Sequence, residues 1–194
     1  MVNFKYAHPK TAGAFISIEG LYPFALGWEP HNGNIPIFRL GGHVMGHETG
    51  WECAVREVKE EANIRIKPVY TKRTYWASAE TQGIDLQEIQ WDKENDPGSK
   101  PFLIVAYHTH NETSLSFMYM AQSNEIPTPS AEVKGILLLD PSHIQEICQT
   151  PMTLDQYLTS GGRAIFVDQF DRNRILEPFI QLRIFSQLLK SQWV

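Results

Sequence analysis

Glu57, Glu60 and Glu61 are the residues best placed to do chemistry, because their spacing gathers three carboxylates on one face of any helix that carries them. Like charges at i, i+3 and i+4 repel, costing an isolated helix about 0.2–0.5 kcal/mol per pair. Most such faces are simply solvated, and the alternative is a face that meets a cation. Hard oxygen donors at this density suit magnesium, manganese or calcium better than zinc. His43 and His47 lie upstream, but apart from Cys53 no third soft ligand accompanies them, so zinc is disfavoured. Their simpler use is a hydrogen bond from a loop to backbone or phosphate.

The elements that must hold these acids can be read around them. Thr49 with Glu52 is a capping-box pattern and predicts a helix start. Trp51, Ala54, Val55, Val58 and Ala62 then form one apolar stripe, turned away from the acids. Upstream, Ile35 to Leu40 has the composition of a strand and runs into Gly41-Gly42. The unit expected is therefore a strand, a glycine turn, a short loop and an acidic helix.

Counted from Gly42, Glu48 follows after five residues and Arg56 after seven more, and the chain continues Glu57, Val58, Lys59, Glu60, Glu61, Ala62, Asn63, Ile64. This resembles the Nudix box, G-x5-E-x7-R-E-U-x-E-E-x-G-U with U aliphatic, over residues 42–64. The departure is Asn63 where the family has glycine. That position closes the helix in the left-handed region, which asparagine tolerates best after glycine.

The resemblance implies a Nudix-type α/β/α sandwich with a mixed β-sheet, α/β (α+β) in class. It implies a hydrolase that cleaves the phosphoanhydride of a nucleoside diphosphate linked to another group X, with Mg2+ or Mn2+. Glu57 and Glu61 would be the main metal ligands, with the Gly41 carbonyl. Glu60 would be a further ligand or would orient water. Arg56 and Glu48 are expected to support the site through a bidentate contact. The base outside the box varies within the family. Glu132 is the first candidate, and Glu80, Asp85 and Glu88 are rivals. The proline downstream of the box that marks many ADP-ribose hydrolases is missing at Ser78, Ala79 and Glu80. The alternative from another class is a catalytically inactive nucleotide or ADP-ribose sensor on the same fold, but the three acids are intact.

The chain has 194 residues, 42% hydrophobic, enough for one well-filled core. A net charge of −5 and only scattered pairs such as Lys72-Arg73 argue against general nucleic-acid binding. Cys53 and Cys148 lack metal spacing and are expected as reduced thiols. Met1 to Lys10 is mixed and polar, unlike a leader, and no apolar run is long enough to cross a bilayer, so a cytoplasmic, membrane-free protein is expected.

Residues 1–150 are expected to form the catalytic domain, with 151–194 as a C-terminal helical extension packed on it. Residues 77–101 are expected as an inserted loop able to lid a cleft. Phe179, Phe185 and Trp193 offer a homodimer contact as the alternative to packing. Tyr75, Trp76, Trp91, Phe117 and Tyr119 could stack on a base but serve a core equally well, so the substrate-binding residues are left open.

Overall fold

Alternation along strand β1 (Thr11–Ser17) decides the layering. Ala12, Ala14 and Ile16 pack toward helix α1 (Gly50–Ala62), against Cys53, Ala54, Val58 and Ala62. Phe15 points the other way, into a core that includes Phe24, Phe102 and Phe185. Each of the larger apolar side chains buried in these layers, such as Ile16, Val58 and Phe15, contributes about 1.5–3 kcal/mol. The computed structural model that supports this description covers residues 8–27, 32–80, 83–91, 100–108 and 112–191.

After β1 come β2 (Tyr22–Leu26), β3 (Ile35–Phe38) and β4 (Leu40–His43), then α1. Next are β5 (Lys67–Pro68), β6 (Thr74–Glu80), β7 (Gly83–Ile89), β8 (Leu103–His108), β9 (Thr113–Gln122) and β10 (Gly135–Leu139). The chain ends with α2 (Pro141–Gln149), α3 (Leu154–Thr159), β11 (Arg163–Phe166), β12 (Leu176–Pro178) and α4 (Ile180–Lys190).

A seven-stranded mixed sheet has the order β4-β1-β9-β8-β6-β7, with β5 also paired to β9. The parallel pairs are β1 with β9 and β6 with β8. A five-stranded sheet, β11-β10-β2-β3-β12, lies with α2 and α4. With α1 on one face of the larger sheet and α4 packed on Phe15 from the other, the molecule is a mixed α+β sandwich of the expected kind.

The antiparallel register of β1 and β4 sets Gly13 opposite Gly41 and Ala12 opposite Gly42. This delivers the glycine turn to the edge of the sheet that α1 covers. The helix begins with the expected capping box: Glu52 N–H donates to Thr49 Oγ1 and Thr49 N–H to Glu52 Oε2. It ends at Asn63, left-handed at φ 54° and ψ 27°.

Two stretches differ from the sequence reading. Much of 77–101 is not a loop: β6 reaches Glu80 and pairs with β7 from Thr74↔Ile89 to Glu80↔Gly83, and β7 forms the sheet edge opposite β4. Polar alternation in Asp85-Leu86-Gln87-Glu88 is what an edge strand shows. A lid over the glycine turn is therefore not available from this hairpin, and residues 92–99 lie outside the described residues.

In the segment 151–194, helices were expected alone. It also supplies β11, paired with β10, and β12, paired in parallel with β3. Pro178 marks the change from strand to helix there, since α4 starts at Ile180. Phe185 is fully buried and stacked on Phe15 at 4.2 Å, so it is core rather than a dimer contact. Trp193 lies outside the described residues.

Candidate active site

The helix face carrying the acids meets the glycine turn through two close contacts. Gly41 N–H donates to Glu61 Oε2 at 2.7 Å. Glu57 occupies the space that a side chain at Gly42 would need: a Cβ there would lie 2.4 Å from the Glu57 carboxyl. Gly41 has φ +141°, and a Cβ on it would fall 2.3 Å from the Ala12 carbonyl oxygen. Both glycines are thus required by the close approach of sheet and helix.

Arg56 ties the acids and the loop together. Its Nε donates to Glu48 Oε1 at 2.6 Å and its Nη2 to Glu48 Oε2 at 3.0 Å, a bidentate pair. Nη1 donates to Glu57 Oε1 at 2.8 Å and to Glu60 Oε2 at 3.1 Å, and Nη2 also reaches the His43 carbonyl. The Arg56 hydrogen bond holds the Glu48 carboxyl below its ordinary range, and the Arg56 guanidinium is in turn raised by Glu48 and Glu57.

Glu132 comes close to Glu61 because the following loop is strapped to the end of α1. Thr128 N–H donates to the Ala62 carbonyl and Ser130 N–H to the Glu61 carbonyl, while Ser130 Oγ donates to that of Glu60. Ala131 then turns with φ 53°, and Glu132 and Glu61 line one cavity of about 570 Å³. Burial pushes the Glu61 carboxyl up to about 7, assisted by the charges of Glu57 and Glu132 and opposed by the Gly41 N–H and Arg39.

The predicted residues are therefore partly gathered. Glu57, Glu61, Gly41 and Gly42 form one contact, Glu132 joins the cavity, and Arg56 with Glu48 buttresses the loop. Glu60 is half exposed and turned toward Arg56. Asp85 and Glu88 are not brought in: Glu88 pairs with Arg73 and Asp85 accepts from Gln87, both on the strand farthest from β4. His43 and His47 are exposed. Cys53 is buried and its thiol is pushed up to about 11 by that burial, while Cys148 is also a free thiol.

The cavity walls include residues with no place in the box pattern. Arg39, between β3 and β4, reaches in beside Glu61, and Phe38, Tyr107, Phe179 and Gln181 complete the side away from the acids. A lone arginine between Phe38 and Leu40, in an apolar run, was the one signal available for Arg39. Phe179 and Gln181 gave none, being far from the box in sequence. The aromatic residues considered for a base are elsewhere: Tyr75, Phe117 and Tyr119 are buried core, and Trp91 packs edge-on against Phe117.

The donor set fits a divalent ion in its chemistry. Glu57 and Glu61 bring two carboxylates to the Gly41-Gly42 backbone, and burial pushes the Glu61 carboxyl up despite the Gly41 N–H and Arg39 beside it. With the side chains as arranged, no group of three acidic, histidine or cysteine side chains among the described residues converges as an ion site. Glu60 would have to leave Arg56 to complete one.

A sequence model of the NUDIX domain matches residues 23–160, well over half of the chain. No curated protein matches. Among solved structures, a NUDIX-family hydrolase from Clostridium perfringens is 16% identical with a TM-score of 0.44, covering 72% of this chain and 86% of that one. The solution structure of the E. coli ORF135 protein is 12% identical with a TM-score of 0.47, covering 75% and 83%. A C. elegans Ap4A hydrolase is 16% identical with a TM-score of 0.43, covering 69% and 81%. Similarity at this level carries nothing about substrate. The domain match spans the glycine turn, the acidic helix and Glu132, and this chain belongs to the NUDIX family of hydrolases, which act on nucleoside diphosphates linked to a second group X.

Proposed function

We propose that this protein is a divalent-metal-dependent pyrophosphohydrolase, cleaving the phosphoanhydride of a small nucleoside diphosphate derivative, with Mg2+ or Mn2+ as cofactor. The observation that carries this reading is the position of Glu61, buried against the Gly41 N–H and sharing a cavity with Glu132. Glu57 and Glu61 would hold the ion with the Gly41 carbonyl, and Glu60 would serve as a further ligand or orient water. The ion supplies charge neutralisation at the diphosphate.

The chain's own residues do the rest. Glu132 accepts a proton from the attacking water as its oxygen bonds to phosphorus and the bridging P–O bond breaks. Without the ion, Arg56 keeps Glu57 and Glu60 oriented and screens their mutual repulsion, and Glu60 would leave it to reach a bound ion.

Residues 1–150 and 151–194 belong to one working unit in this reading, because the cavity is lined from both. No helix among the described residues is long and apolar enough to cross a membrane, and a cytoplasmic setting with small-molecule substrates is part of the proposal. The test is hydrolysis of nucleoside triphosphates, nucleotide sugars, dinucleoside polyphosphates and ADP-ribose with Mg2+ or Mn2+. Turnover lost in EDTA is expected, and tight binding of one compound without turnover would instead identify a sensor.

A further inference from the structure

The last four carbonyls of an α-helix have no partner within the helix and must find one outside it. In α1 they belong to Lys59, Glu60, Glu61 and Ala62. The Asn63 N–H takes the first, at 3.1 Å. Ser130 Oγ takes the second, Ser130 N–H the third at 2.9 Å, and Thr128 N–H the fourth at 2.8 Å. The segment that leads into Glu132 is therefore the cap of the helix that carries the acids, although Ser130 and Glu60 stand 70 residues apart in sequence.

That cap is stiff. It reads Pro127-Thr128-Pro129-Ser130, and both prolines are buried. Proline has no N–H and holds φ at about −65°, so the segment has two backbone donors, and both are spent on α1. Directly beyond it, Val133 N–H donates to the Ser130 carbonyl at 3.1 Å, which closes a turn over Ala131 and Glu132. Ala131 is left-handed at φ 53°, a conformation an alanine keeps only where its flanks are fixed. Glu132 is the third residue of that turn, and Ser130, the first, is held to α1 by both its N–H and its hydroxyl.

We propose that Ser130 is a positioning residue for the proton step: its hydroxyl, bonded to the Glu60 carbonyl, sets the turn that presents the Glu132 carboxylate to water beside Glu57 and Glu61, and it affects the reaction only through Glu132. The role rests on the hydrolase reading, in which Glu132 takes the proton of the attacking water. A residue of any type at position 130 other than proline keeps the N–H bond to Glu61, whereas the bond to Glu60 needs a hydroxyl. Without it the turn pivots on its two remaining N–H bonds. A general base works within a reach of about 2.6–3.2 Å, so a displacement of about 1 Å is felt in the rate, on the order of a hundredfold at most. Glu57 and Glu61 sit on the helix itself and do not move with the turn.

The test is steady-state turnover with Mn2+ of the best substrate of the hydrolysis panel. It compares the unaltered chain, Ser130→Ala, Ser130→Thr, Glu132→Gln and the double variant Ser130→Ala/Glu132→Gln, with Mn2+ affinity read by electron paramagnetic resonance on the same samples. Ser130→Ala should lower kcat at least about tenfold and leave KM and Mn2+ affinity within about twofold. Ser130→Thr, which keeps a hydroxyl, should recover most of that loss. In the Glu132→Gln background, Ser130→Ala should cost nothing further, because the group it positions is already gone. Each variant is first checked for a cooperative thermal transition, and Ser130→Gly, which also lacks the hydroxyl, repeats the test if the alanine variant does not fold. An undiminished kcat in Ser130→Ala, a full additional loss in the double variant, or Mn2+ affinity falling in step with kcat would each overturn the role. The hydrolase reading fails differently: the unaltered chain turns over nothing with Mg2+ or Mn2+, and the role falls with it.

Discussion

At the scale of single residues, Glu61 has the clearest consequence for pH. Its carboxyl is pushed up to about 7 from an ordinary 4.5, mainly by burial. In the metal-free protein, the stability associated with this group is fully present below pH 4.5 and is lost as pH rises through 7. The loss amounts to about 3 kcal/mol. Glu61→Gln should therefore make the metal-free protein more stable at pH 8 and flatten its stability between pH 5 and 8. Urea denaturation in EDTA at both pH values checks this, and an unchanged slope would count against it. Gly42→Ala acts on Glu57 instead, since the added Cβ would fall 2.4 Å from its carboxyl. The variant should fold, because nothing strains the backbone there, yet lose tenfold or more of its activity as the displaced acid misses its position.

Helix α1 and its flanks were the most legible elements. Thr49 and Glu52 gave the start, the apolar stripe gave the buried face, and the acid spacing gave the site, because all three are local patterns. Asn63 was legible too, and its φ of 54° makes a direct test possible. Asn63→Gly should raise stability by up to about 1 kcal/mol, the backbone strain relieved, less whatever Lys59 gains from its 2.7 Å hydrogen bond to Asn63 Oδ1. A thermal melt showing a clear loss would contradict that account of the helix end. Residues 77–80 and 83–89 are strands that read as loop in the sequence, because β7 is an edge strand, whose polar alternation looks like a loop when its partner is unknown. Arg39 and Phe179 carry no local signal for the cavity, because their place in it depends on the pairing of β3 with β12 across most of the chain.

At the scale of the whole molecule, the C-terminal segment decides whether there is one cooperative unit. Phe185 stacks on Phe15, Leu182 and Leu188 are buried, and β12 extends the sheet that holds β2 and β3. Phe185→Ala should cost about 3–5 kcal/mol and lower a single thermal transition rather than split it. A chain cut after residue 150 should fail to fold cooperatively. A fragment that melts in one transition and still hydrolyses substrate would contradict this.

The most direct measurement is titration of Mn2+ into the protein, followed by electron paramagnetic resonance, with turnover of the best substrate recorded on the same samples for the unaltered chain and for Glu61→Gln. The account predicts that the substitution weakens Mn2+ binding at least tenfold and lowers kcat by at least a hundredfold, with the fold intact. Unchanged Mn2+ affinity together with undiminished turnover in Glu61→Gln would contradict it, since the metal and the chemistry would then lie elsewhere.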